Sequence, residues 1–135
     1  MTRRADLVAA PLPASTAQLL RASLVAVWLG TAVVSAITHR TQGEALLRQA
    51  GLTDDAWIQA LIWSGAAADL LMGVALWRWP GRHSAWAALG LMGVMTATAT
   101  VLLPHLWLDP LGSLLKNLPI AAILIVLARN EETAP

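Results

Sequence analysis

Four apolar stretches, each about twenty residues long, leave this chain few ways to fold. A hydrocarbon core of about 30 Å is crossed by roughly 20 apolar residues in a helix, because each residue rises about 1.5 Å. Runs that meet this condition lie at residues 17–38, 57–79, 84–103 and 110–129. In lipid every backbone N–H and C=O must find its partner inside the protein, so such runs become helices and not open strands. The sequence therefore predicts an all-α fold, a four-helix transmembrane bundle. Residues 17–129 form its membrane domain, residues 1–16, interrupted by Pro11 and Pro13, read as a mobile cytoplasmic tail, and residues 130–135 as a second one.

Composition agrees and excludes several function classes. The chain is 57% hydrophobic and 13% charged, well outside soluble usage. Its net charge of +1 and scattered Lys and Arg provide no basic face for a nucleic acid. Without cysteine there is no disulfide, thiolate metal site or thiol relay within this chain.

Orientation follows from where the cations fall. Arg3, Arg4, Arg21, Arg78, Arg82 and Arg129 lie at one side, and Arg40, Arg48 and Lys116 at the other, so six against three places both termini in the cytoplasm. Trp77, Trp79 and Trp86 then form an inner interfacial belt and Trp57 and Trp107 an outer one, while Trp28 and Trp63 lie deeper and read as packing residues. Val34, Ser35 and Ala36 resemble a signal-peptide cleavage site. The apolar run before them exceeds the usual hydrophobic region of about 7–15 residues, so the first stretch reads as a span.

The first connection, residues 39–56, has a pattern of its own. Leu46, Leu47 and Ala50 are apolar at helical spacing, Glu44 and Arg48 are an i,i+4 pair, and Gly51 is a natural stop. A short interfacial helix is expected there. Thr53, Asp54 and Asp55 supply an N-cap and first-turn acids for the second span. Residues 80–83 form a tight turn that makes spans two and three antiparallel neighbours.

Asp69 is the residue that most needs explaining, because it lies near the centre of the second span. An ionised carboxylate at that depth costs about 2.5–3.5 kcal/mol on insertion scales, so it is expected to face other helices, a cation or water. Lys116 and Arg21 are the candidate partners, each offset from Asp69 by a gap that a long side chain bridges. The alternative is that both cations snorkel to their own interfaces and leave Asp69 hydrogen-bonded or protonated. Gly65, Asp69 and Gly73 share a four-residue stripe, and Gly90, Gly93, Ala97 and Thr100, with Ala26 and Gly30 in the first span, are further small residues expected at helix contacts. Thr96 and Thr100 either donate inward or bond their own helix. In the fourth span Asp109 is placed to cap a helix beginning at Pro110. Pro119 should free the Leu115 carbonyl and bend that helix beside polar Lys116 and Asn117.

The order of an Arg-bearing first span (QLLRASLVAVWLGTAVVS), a loop helix ending in Gly-Leu (EALLRQAGL), a second span with SGAAADLLMGVAL and a fourth opening with LWLDPLGSLLKNLPI resembles the DoxX-like family of small bacterial four-helix membrane proteins. The resemblance implies a protein of the bacterial inner (cytoplasmic) membrane. Some relatives are tied to redox complexes or fused to dehydrogenase-like domains, and quinone reduction is known in the wider DoxX and DoxD group. It implies no single activity. This sequence carries no fused domain, so a redox partner would be a separate polypeptide.

Two readings of function follow. One is an accessory or scaffold subunit whose polar interior, Arg21, Asp69, Lys116 and Asn117, holds the bundle and receives a quinone-like or lipid ligand, with Trp63 and Trp107 lining the slot. Partners compatible with it are the lipid bilayer, a separate redox protein and a second copy in a homo-oligomer. The other is a small proton-coupled exporter in which Asp69 exchanges a proton for a cation. Haem fits less well, since only His39 and His105 share the outer side and both lie at span ends. There is no Ser-His-Asp set, metal-ligand spacing or phosphate loop, which disfavours a soluble-type enzyme.

Overall fold

The computed structural model describes residues 11–109 and 114–132, with side chains through Asn130. Helix α1 spans Ala14–Thr38 and runs through a π-helical turn, His39–Gly43, into the short helix α2, Glu44–Gln49. Then come α3, Asp55–Arg78, and α4, Arg82–Leu102, a 3-10 turn at Pro104–Trp107, and α5, Asn117–Glu132. No strand occurs among the described residues, and the fold is the expected all-α bundle. Most of the two expected tails lies outside the described residues.

Local chemistry sets the boundaries. The Pro13 carbonyl accepts from Thr16 and Ala17 and starts α1 at Ala14, earlier than the expected residue 17. Gly51 at φ +94° closes α2, with Leu52 N–H donating to the Leu47 carbonyl and Gly51 N–H to that of Arg48. The Asp54 carboxylate caps α3, accepting from Ala56 at 2.8 Å and Trp57 at 3.1 Å. Arg48 pairs with Asp55 and not with Glu44, which instead accepts from Gln59 at 2.6 Å. The expected i,i+4 pair gives way because α2 turns its charged residues toward the start of α3.

The fourth helix departs most from expectation. Among the described residues it starts at Asn117, residues 114–116 form a turn, and residues 110–113, where the first helical turn was expected, lie outside the described residues. Pro119 consequently falls in the first turn of α5, where its missing N–H costs nothing. The Leu115 carbonyl is not freed, because it accepts from Leu118 at 3.2 Å.

Packing divides the bundle into two pairs. Helix α1 lies along α3 and α4 lies along α5, whereas α3 and α4 touch far less despite the tight turn that joins them. The pairs meet in a core of Leu24, Trp28, Leu76, Ala85, Ala88, Met92, Leu124, Leu127 and Ala128. Most of these lie toward the termini, with Trp28, Met92 and Leu124 near the middle of their helices. Large apolar side chains elsewhere, among them Leu19, Ile37, Leu71, Val94 and Val101, are exposed on all sides. In water such a surface would be a liability; α1, α3 and α4 are long and apolar enough to cross a membrane, where lipid covers it.

Only one of the expected small-residue contacts closes. A Cβ at Gly73 would come within 2.7 Å of Leu29, so α1 and α3 touch backbone to side chain there. Gly30, Gly65, Gly90 and Gly93 meet nothing within 4 Å. The contact face of α4 is instead Ala85, Ala88 and Met92, and Ala26 and Ala97 are exposed.

Candidate functional site

Beyond the core the bundle is hollow. A cavity of about 610 Å³ opens between the ends of α1, α3 and α4 nearest the α2 connection, and a chamber of about 240 Å³ lies deeper, between α1, α3, α4 and the start of α5. Four residues line both, Asp69, Met95, Ala99 and Lys116, and so form a neck. The position of Asp69 follows from its stripe. One turn toward the termini Gly73 closes α3 on α1, and one turn the other way Gly65 faces open space, so Asp69 stands where contact ends and cavity begins.

Asp69 is only 7% exposed, yet it makes no hydrogen bond or ion pair among the described residues. Of the two arrangements the sequence leaves open, no Asp69–Lys116 bond forms among the described residues, although both line the same neck. Arg21 is elsewhere, in a groove with Gln18, Leu29 and Trp77 on the other side of the Gly73 contact. Trp63 is also apart, half-exposed and tilted at 48° against the His39 ring with centroids 5.3 Å apart. His39 holds the Ala36 carbonyl at 2.7 Å, and His105 is exposed in the 3-10 turn.

A polar seam fixes the wall between α4 and α5. Asn117 Nδ2 donates to Thr96 Oγ1 at 2.8 Å, Thr100 Oγ1 donates to the Thr96 carbonyl at 2.7 Å, and Trp107 Nε1 donates to Thr100 Oγ1 at 3.1 Å. Asn117 thereby anchors the start of α5, and Lys116, in the turn just before it, is carried to the neck. Trp107 shares an outward groove with Asn117 and is separated from Asp69. Of the six candidate residues, the fold gathers Asp69, Lys116 and Asn117 at one chamber.

Sequence reasoning passed over Met95 and Ala99 in the neck and the second role of Trp28. Trp28 packs in the core as expected, but it also walls the deeper chamber, and its indole N–H is buried without an acceptor among the described residues. The signal for Met95 and Ala99 was their helical spacing beside Thr96; nothing in the sequence separates a cavity wall from a packed face.

The sequence model of the DoxX-like family matches residues 25–125, from the middle of α1 into α5. The chain belongs to the DoxX-like family. No curated protein and no solved structure matches it. The matched stretch contains Asp69, Lys116 and Asn117, so the whole neck of this DoxX-like chain lies inside the family region. With its long apolar helices, the DoxX-like chain is an integral multi-pass membrane protein.

Proposed function

We propose that this protein is a ligand-binding accessory subunit of the bacterial inner membrane, serving a redox assembly whose catalytic part is a separate polypeptide. Its ligand is an amphiphile, quinone-like or lipid, with an apolar tail in the larger cavity and a polar head at Asp69, Lys116 and Asn117. The observation that carries this reading is the pair of cavities, apolar over most of their walls, that meet at the carboxyl group of Asp69 within the long apolar helix α3 and at Lys116 in the turn before α5. The asymmetry of Lys and Arg supports cytoplasmic termini, with the larger cavity toward the outer leaflet.

The test is purification in native lipid nanodiscs, mass spectrometry of the small molecules retained, and titration with decylubiquinone against empty discs. Saturable binding that weakens at least tenfold in Lys116→Met supports the reading. Uptake no greater than by empty discs, with no retained amphiphile, overturns it.

The exporter reading keeps one observation in its favour, the buried and unpartnered Asp69 beside a cavity. Lys116 in the same neck opposes a cationic substrate. Binding of tetraphenylphosphonium that changes with pH and is lost in Asp69→Asn would favour the exporter instead.

A further inference from the structure

The neck narrows the chemistry of the head group. Asp69, a residue only 7% exposed, brings a carboxyl group without a partner among the described residues, and Lys116, which lines the same two cavities, brings hydrogen-bond donors. A cationic head would satisfy Asp69 but meet the ammonium of Lys116. An anionic head would satisfy Lys116 but meet the carboxylate. A pure acceptor, such as a ketone or ether oxygen, serves Lys116 and leaves Asp69 without a donor, which is the costly arrangement in a buried site. A neutral hydroxyl avoids all three conflicts, because one oxygen donates to Asp69 while accepting from Lys116. We propose that the neck is a subsite for a hydroxyl-bearing head group, a phenol or an aliphatic alcohol, on an otherwise apolar ligand. This rests on the amphiphile-binding reading above and specifies what that reading leaves open.

The surroundings fit such a head. The chamber beyond the neck is walled by Trp28, Met92, Leu114 and Ile120, which suit an apolar ring or chain end. Asn117 is already committed through its amide N–H to Thr96, whereas the Trp28 indole N–H, without an acceptor among the described residues, is a further donor to a hydroxyl oxygen, so the demand for an O–H donor comes from Asp69.

The test compares matched probes in nanodiscs by equilibrium dialysis against empty discs: 4-hexylphenol with 4-hexylanisole, and 1-decanol with its methyl ether. Each pair differs in the O–H donor. The expected result is at least tenfold tighter binding of a hydroxyl probe than of its ether, since one hydrogen bond to a charged group is gained. The preference should vanish in Asp69→Leu, with ether binding retained. Lys116→Met, at an exposed residue that leaves the core intact, should weaken hydroxyl and ether alike while keeping the preference. A preference seen only in the phenol pair supports an aromatic head, and one seen in the decanol pair supports a lipid alcohol. Equal binding of hydroxyl and ether, or a preference that survives Asp69→Leu, overturns the hydroxyl subsite and leaves the amphiphile reading standing. If no probe binds above empty discs, the hydroxyl subsite is overturned, and the amphiphile reading falls with it only where decylubiquinone uptake and retained amphiphile are absent as well.

Discussion

Replacing Gly73 by alanine adds one methyl group at the tightest point of the bundle, and the outcome can be worked out from its neighbours. The new carbon would sit 2.7 Å from Leu29 Cδ2, 2.9 Å from its Cγ and 3.3 Å from its backbone nitrogen. The Cδ2 atom can swing away. The Cγ and the backbone nitrogen move only if α1 moves off α3. Overpacking of this kind costs about 1–3 kcal/mol, and replacing a mid-helix glycine returns about 0.5–1 kcal/mol, so a net loss of about 0–2.5 kcal/mol, centred near 1, is expected. The same change at Gly90 meets nothing within 4 Å and should stabilise by about 0.5–1 kcal/mol. Identical substitutions thus differ in sign. Reversible unfolding in mixed micelles with increasing SDS, followed by circular dichroism, measures both. In a Leu29→Ala background the cost of Gly73→Ala should shrink by more than about 0.5 kcal/mol, because the two nearest atoms, Cδ2 and Cγ, are gone and only the backbone nitrogen remains. If Gly73→Ala proves as stable as Gly90→Ala, or costs the same without the Leu29 side chain, the close approach of α1 and α3 is misplaced.

Three further outcomes are expected. In intact cells Gln42→Cys should react with an impermeant thiol reagent and Gly81→Cys should not, since the native chain has no cysteine; the reverse pattern would invert the topology. Asn117→Leu breaks the bond to Thr96 and should cost about 0.6–1.7 kcal/mol in the same unfolding assay, and a loss near zero would mean that α5 is held without the seam. Asp69→Asn and Arg21→Met should be additive within about 0.5 kcal/mol, because the two side chains lie on opposite sides of the Gly73 contact; strong coupling would restore their pairing.

The three long helices were legible because apolar length is a direct signature of a span and Asp54 announces a start. The start expected at Asp109 and Pro110 adjoins residues 110–113, outside the described ones. Among the described residues α5 starts at Asn117, where Pro119 in the first turn and the bond from Asn117 to Thr96 accompany it. Small residues gave a similar ambiguity. Gly73 and Gly65 flank Asp69 at equal spacing, and only the partner helix decides that one meets Leu29 while the other faces a cavity. Burial of Asp69 followed from its place in the span, whereas its lack of a partner depends on how Lys116 is delivered by a turn that periodicity does not describe.

The unequal helix lengths have a consequence for the surrounding lipid. At about 1.5 Å per residue, the 25 residues of α1 and 24 of α3 extend about 36–37 Å, whereas the 21 of α4 and 16 of α5 extend about 31 and 24 Å. One flank of the bundle therefore exceeds a hydrocarbon thickness of about 30 Å and is accommodated by tilting, while the flank carrying α5 falls short by about 6 Å and draws the bilayer inward. A thinner annulus is expected on the side where Lys116 precedes α5. Lipids with short acyl chains should gather there, and the protein should be more stable in thinner bilayers than its longest helices alone would lead one to expect.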